Sequence, residues 1–61
     1  MDGSKILVVD DDKNINELLR LYLEKEGYSV DAAFDGRDAV KKFNEFDPDL
    51  VLLDIMLPGM D

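Results

Sequence analysis

Four acidic residues carry the chemistry this chain can do: Asp10, Asp11 and Asp12 in an unbroken run, and Asp54. Each side of that set follows a short apolar segment, Lys5-Ile6-Leu7-Val8-Val9 before Asp10 and Leu50-Val51-Leu52-Leu53 before Asp54. If both segments are neighbouring parallel strands, their C-terminal ends share one edge of a sheet, roughly 4.8 Å apart. Asp54 then falls within a few ångströms of the Asp10–Asp12 run. Crowded carboxylates repel one another, and a hard divalent cation relieves the repulsion. Mg²⁺ takes oxygen ligands in octahedral geometry, typically one or two carboxylates with waters and phosphate oxygens. A carboxylate can also act as a nucleophile toward phosphorus and form an acyl phosphate. In-line phosphoryl transfer needs chiefly positioning and charge neutralisation.

Composition excludes much else. Histidine and cysteine are both absent, which removes imidazole catalysis, histidine-ligated zinc, thiolate metal sites and disulfides. Fifteen acidic residues against seven basic ones give a formal charge of −8, which disfavours binding to nucleic acid or anionic lipid. The apolar share of 46% describes a folding chain, and 61 residues hold one small domain at most. Neither a targeting segment nor an apolar run long enough for a membrane is visible, so a cytoplasmic location is the default expectation. Asp10-x-Asp12-x-Asn14 is not a calcium loop, because Ile15 and Leu21 stand where a glycine and a bidentate glutamate are required.

The elements that must position the acids follow from periodicity. Lys5–Asp10 and Leu50–Leu53 are apolar on both faces, as strands of a covered parallel sheet are. Ile15, Leu18, Leu19, Tyr22 and Leu23 trace one face of a helix. Asn14 with Glu17 three residues on predicts a capping box at its start, and Gly27 a left-handed C′ residue at its end. Asp12 is better read as a helix cap than as a ligand. Tyr28–Phe34 partly alternates and predicts an edge strand. Asp35 caps a second helix with Ala39, Val40, Phe43 and Phe46 as its apolar stripe and Lys41, Lys42 and Glu45 facing water. Asp47-Pro48 stops it. Asp38, Asp47 and Asp49 read as turn and solvated residues, Met56 and Met60 as packing residues, and 55–61 as a loop turning at Pro58-Gly59.

The order β-α-β-α-β with right-handed crossovers predicts an α/β fold, a three-stranded parallel sheet of order 2-1-3 with two helices. In this order the third strand lacks an outer neighbour. Its open apolar edge predicts self-association into a homodimer that rebuilds a larger sheet.

Ile6-Leu7-Val8-Val9-Asp10-Asp11-Asp12 and Val51-Leu52-Leu53-Asp54-Ile55-Met56-Leu57-Pro58-Gly59-Met60-Asp61 together resemble the receiver domain of two-component response regulators. The resemblance runs from about Lys5 to the last residue, makes residues 1–61 a truncated receiver domain, and implies half of a flavodoxin-like doubly wound fold. It implies that Asp54 is the phosphoacceptor and that Asp10, Asp11, Asp54 and the backbone carbonyl of Met56 hold Mg²⁺. Asp12 has no fixed role in the family. The phosphoryl donor would be the phosphohistidine of a sensor histidine kinase, or a small phosphodonor. The chain would be a phosphoacceptor rather than a turnover enzyme. The family's later strands and helices, with its Ser/Thr switch, lysine and aromatic switch, have no counterpart in these residues. A structural half-domain that self-associates without signalling is the alternative reading.

Overall fold

The computed structural model describes residues 3–53. They form β1 (Lys5–Val9), α1 (Lys13–Lys25), β2 (Ser29–Ala33), α2 (Gly36–Phe46) and β3 (Leu50–Leu53). The three strands are parallel in the order β2-β1-β3. The α/β architecture and strand order are those expected from the apolar pattern. β2 is one residue shorter at each end than the alternating run Tyr28–Phe34 predicts.

The two crossovers run in opposite senses, from β1 out to β2 and from β2 back across β1 to β3. Right-handed connections therefore put α1 and α2 on opposite faces of the sheet. α1 packs on β2 and β1, α2 likewise, and neither packs on β3. The fully covered apolar side chains are accordingly few: Ile6, Leu7 and Val8 on the central strand, and Ala33 at the end of β2. Beyond β1 both faces stay open. Leu50 and Leu53 are 52% and 65% exposed, and α2 leaves Val40 and Phe43 exposed. Leu7, Ala39, Val40, Phe43 and Val51 line an open apolar groove of about 250 Å³ on the α2 face.

The helix signals need one correction. Asp12 caps α1, as its reading as a helix cap expects, and Asn14 does not; the Asp12 carboxylate accepts from the backbone N–H groups of Asn14 and Ile15 at 2.9 and 3.2 Å. An Asp cap of this kind stabilises by about 1 kcal/mol. Glu17 does not turn back to close a capping box. It pairs instead with Arg20, which also reaches Glu24. Hydrogen bonding to Glu17, then its charge, raises the Arg20 pKa above its usual value. At the other end Gly27 takes φ 100°, as expected. Its N–H donates to Glu24 and that of Tyr28 to Leu23, both at 3.1 Å, which makes a Schellman motif.

The apolar stripe read on α1 is only partly covered. The sheet-facing row centres on Asn16, with Leu23 half-buried, while Ile15, Leu18 and Tyr22 are exposed. Two strands are too narrow to cover a helix face that wide. Asp35 caps α2 as predicted, accepting from Asp38 N at 2.7 Å, and Asp47 ends the helix in the left-handed region at φ 53°. Lys42 does not simply face water. Its Nζ meets Asp31 Oδ1 at 3.3 Å and Ala32 O at 3.0 Å on the β2 edge.

Asp49 sets the register that matters for the site. Its N–H donates to Lys5 O at 2.8 Å, and its Oδ2 accepts from Lys5 N at 2.8 Å. This two-point clamp starts β3 opposite β1, so that Ile6 pairs with Leu50 and Val9 with Leu53. Lys5 also reaches Phe46, with Nζ 5.5 Å from the ring centroid, which ties the end of α2 to the start of β1.

Candidate functional site

At the C-terminal end of β1 the chain leaves the sheet through Asp10 and turns through Asp11 into the Asp12 cap. Asp10 is buried, at 6% exposure, and its N–H donates to Ala33 O across the β1–β2 gap at 3.1 Å. One of its carboxylate oxygens, Oδ1, accepts from Asp12 N at 2.8 Å. That bond folds the Asp10 side chain over the loop that follows it. Among the described residues no donor meets Oδ2. Asp11 is exposed, and no hydrogen bond to a described residue engages its carboxylate. Asp12 is also exposed, but its Oδ1 is committed to the first turn of α1. The three consecutive acids therefore divide into one used by the helix and two with oxygen to offer a ligand.

No described lysine or arginine forms an ion pair with any of the three. The positive end of the α1 dipole lies at Asp12, which favours negative charge there. The donor set consists of hard carboxylate oxygens, the type Mg²⁺ prefers and zinc or copper does not require. Asp10 and Asp11 therefore fit a hard divalent cation in chemistry and in placement at the edge of the sheet.

Asp54 and Met56, with the expected turn at Pro58-Gly59 and the packing residue Met60, lie outside the described residues. Among the described residues no three acidic side chains come together as a metal cluster. The register bears on Asp54 nonetheless. Leu53, its predecessor in the sequence, pairs with Val9, the predecessor of Asp10. The strand order brings the two apolar segments side by side, as the sequence reading required. Open α/β sheets bind ligands at the carboxyl ends of their strands, where the strand order reverses, and β1 is that point here.

One residue of this region escapes a reading by periodicity. Asn16 is 1% exposed, and its Nδ2 donates to Asp10 O at 3.1 Å and Ala33 O at 2.9 Å. A signal existed in its place on the sheet-facing row, where an apolar residue is the usual choice.

The family model of the response regulator receiver domain matches residues 6–61. The chain belongs to the response regulator receiver domain family. A solved structure, that of the response regulator protein TrrA from Thermotoga maritima in complex with Mg²⁺–BeF, is similar to it at 52% sequence identity and a TM-score of 0.81. The match covers 95% of this receiver chain and 50% of TrrA, so the chain spans about half the length of that relative. The flavodoxin-like half-domain expected from the paired aspartate motifs is the architecture observed. No helix among the described residues of this receiver sequence is long and apolar enough to cross a membrane.

Proposed function

We propose that this receiver chain accepts a phosphoryl group on Asp54 in a reaction that Mg²⁺ supports. The observation that carries the reading is the pairing of Val9 with Leu53, because the residue that follows each in the sequence is a candidate acid, Asp10 and Asp54. That the similar protein TrrA was solved in complex with Mg²⁺–BeF supports a role for the ion. Asp10 and Asp11, with Asp54 and the Met56 carbonyl, would hold the cation. Asp11 would bind it directly, since its carboxylate is exposed. Asp10 would act through water, as the family resemblance implies, with Oδ2 facing the site while Asp12 N holds Oδ1. When bound, Mg²⁺ supplies neutralisation of the charge on the transferring phosphoryl oxygens.

The nucleophile is an Asp54 carboxylate oxygen. It forms a bond to phosphorus as the bond from phosphorus to the leaving group breaks. The donor is the phosphohistidine of a sensor histidine kinase, which leaves as imidazole, or acetyl phosphate, which leaves as acetate. The product is an acyl phosphate on Asp54. The role is that of a phosphoacceptor, consumed once per transfer, in the cytoplasm where two-component regulators meet their kinases. Incubation with acetyl phosphate and Mg²⁺ tests it by intact mass. A gain of one phosphoryl group is expected in the wild type and none in Asp54→Asn. Equal gain in both, or gain independent of Mg²⁺, contradicts the proposal.

A second reading is favoured by β3. The β2 edge carries a guarding charge, Asp31 with Lys42, whereas Leu50-Val51-Leu52-Leu53 carries none. Two copies joined along β3 would continue the sheet and cover Leu50 and Leu53 in a homodimer. The charge of −8 per chain opposes contact, so added salt should strengthen it. Sedimentation velocity at rising concentration is expected to show a dimer that salt stabilises. A monomer that salt leaves unchanged at high concentration counts against this reading.

A further inference from the structure

Within α1 the side chain most deeply covered is a carboxamide, that of Asn16. Burying an amide is unfavourable unless its hydrogen bonds are made. Asn16 makes them at the one place where β1, β2 and the acidic loop meet. Its two Nδ2 hydrogens serve Asp10 O at 3.1 Å and Ala33 O at 2.9 Å, and its backbone N–H donates to Asp12 O at 2.9 Å. Ala33 O also accepts from Asp10 N. The Asp10 residue is thus held on both sides, by Ala33 O at its nitrogen and by Asn16 at its carbonyl.

We infer that Asn16 is a positioning residue, which fixes the backbone of Asp10 and so aims its carboxylate at the cation. The inference rests on the reading of Asp10 and Asp11 as the Mg²⁺ site. Fixing the backbone at Asp10 fixes the direction of its Cα–Cβ bond. The bond from Asp12 N to Oδ1 then leaves the rest of the carboxylate to face a ligand. Outer partners that orient a metal ligand typically matter by roughly 10- to 100-fold in metal affinity. A residue that only joined α1 to the sheet would change stability and leave affinity alone.

The test follows Mg²⁺ titrations of the ¹⁵N-labelled chain through the backbone amides of Asp10, Asp11 and Asp12. Asn16→Leu keeps the branched four-atom shape and removes both donors. Val30→Ala weakens the sheet away from the acidic loop and serves as the stability control. Asn16→Leu is expected to weaken Mg²⁺ binding by about 10- to 100-fold, with Val30→Ala at wild-type affinity. Wild-type affinity in Asn16→Leu overturns the inference while leaving the site itself intact. A wild type with no saturable response overturns the reading of the site and this inference with it. If Asn16→Leu does not fold, the wild type decides through its side-chain amides, which come from Asn14, Asn16 and Asn44 alone. Mg²⁺ is expected to shift the Asn16 pair and leave Asn44 in place, and an unmoved Asn16 pair overturns the inference.

Discussion

Replacing Leu7 with alanine is expected to unfold this chain. Leu7 is completely buried at the middle of the central strand, between β2 and β3 and beneath α2. Removing a buried leucine side chain costs roughly 2–5 kcal/mol, with the upper end where the surroundings cannot collapse into the space. At roughly 0.05–0.15 kcal/mol per residue, a chain of this length has only about 3–9 kcal/mol of stability to lose. Among the described residues the core has four apolar members, so no second cluster there compensates. Far-UV circular dichroism of Leu7→Ala should lose its cooperative thermal transition. Leu18→Ala, at a position 67% exposed, should stay within about 0.5 kcal/mol of the wild type. A Leu7→Ala chain that melts cooperatively within a few degrees of the wild type would show that stability comes from elsewhere than the central strand.

Much of this architecture was legible in the residues. Ile6 to Val9 and Leu50 to Leu53 are apolar without alternation, and strands that carry no outward polar face belong inside a parallel sheet. Gly27 and Asp35 were legible for a local reason, because a left-handed C′ residue and a helix cap are decided by their own neighbours. The start of α1 was legible only in part, since Asp12 was read as a cap but the Asn14–Glu17 box was read beside it. Asp12, Asn14 and the Glu17 box compete as caps, and the winner depends on where Asp10 Oδ1 draws in the Asp12 backbone, a contact the pattern does not contain. The stripe on α1 was misjudged for a tertiary reason. Helical periodicity finds an apolar face, but it does not say that only two strands will lie beneath it. Periodicity alone leaves Lys42 and Asp49 as solvated charges. Their real partners, Asp31 with Ala32 O and the Lys5 backbone, are distant in sequence and become neighbours only in the folded sheet.

The placement of the site at the strand ends was legible with the strands themselves. Asp10 and Asp11 follow an apolar strand segment in the sequence, and the β1–β3 pairing is the one the apolar pattern predicts. The role of Asn16 was harder to read, because a polar residue on the sheet-facing row marks it but its partners are backbone carbonyls, which have no sequence. Both asparagine and leucine would have been compatible with the helix pattern there.

The second large effect is on cation binding. Mg²⁺ satisfies itself with one or two carboxylates, so each direct ligand carries much of the affinity. Loss of a direct ligand should matter at least as much as loss of an outer partner, about tenfold or more. An acidic chain of charge −8 also attracts cations diffusely, and about 0.15 M salt reduces that background. Asp38→Asn, which removes one charge from the first turn of α2, controls for what remains. The decisive measurement is Mg²⁺ titration by calorimetry of the wild type, Asp11→Asn, Asp54→Asn and Asp38→Asn under that salt. Joint membership of Asp11 and Asp54 in one site predicts saturable binding by the wild type and Asp38→Asn, and a loss of about tenfold or more in each of the other two. Wild-type affinity in Asp54→Asn would contradict it, because the third strand would then deliver nothing to the cation.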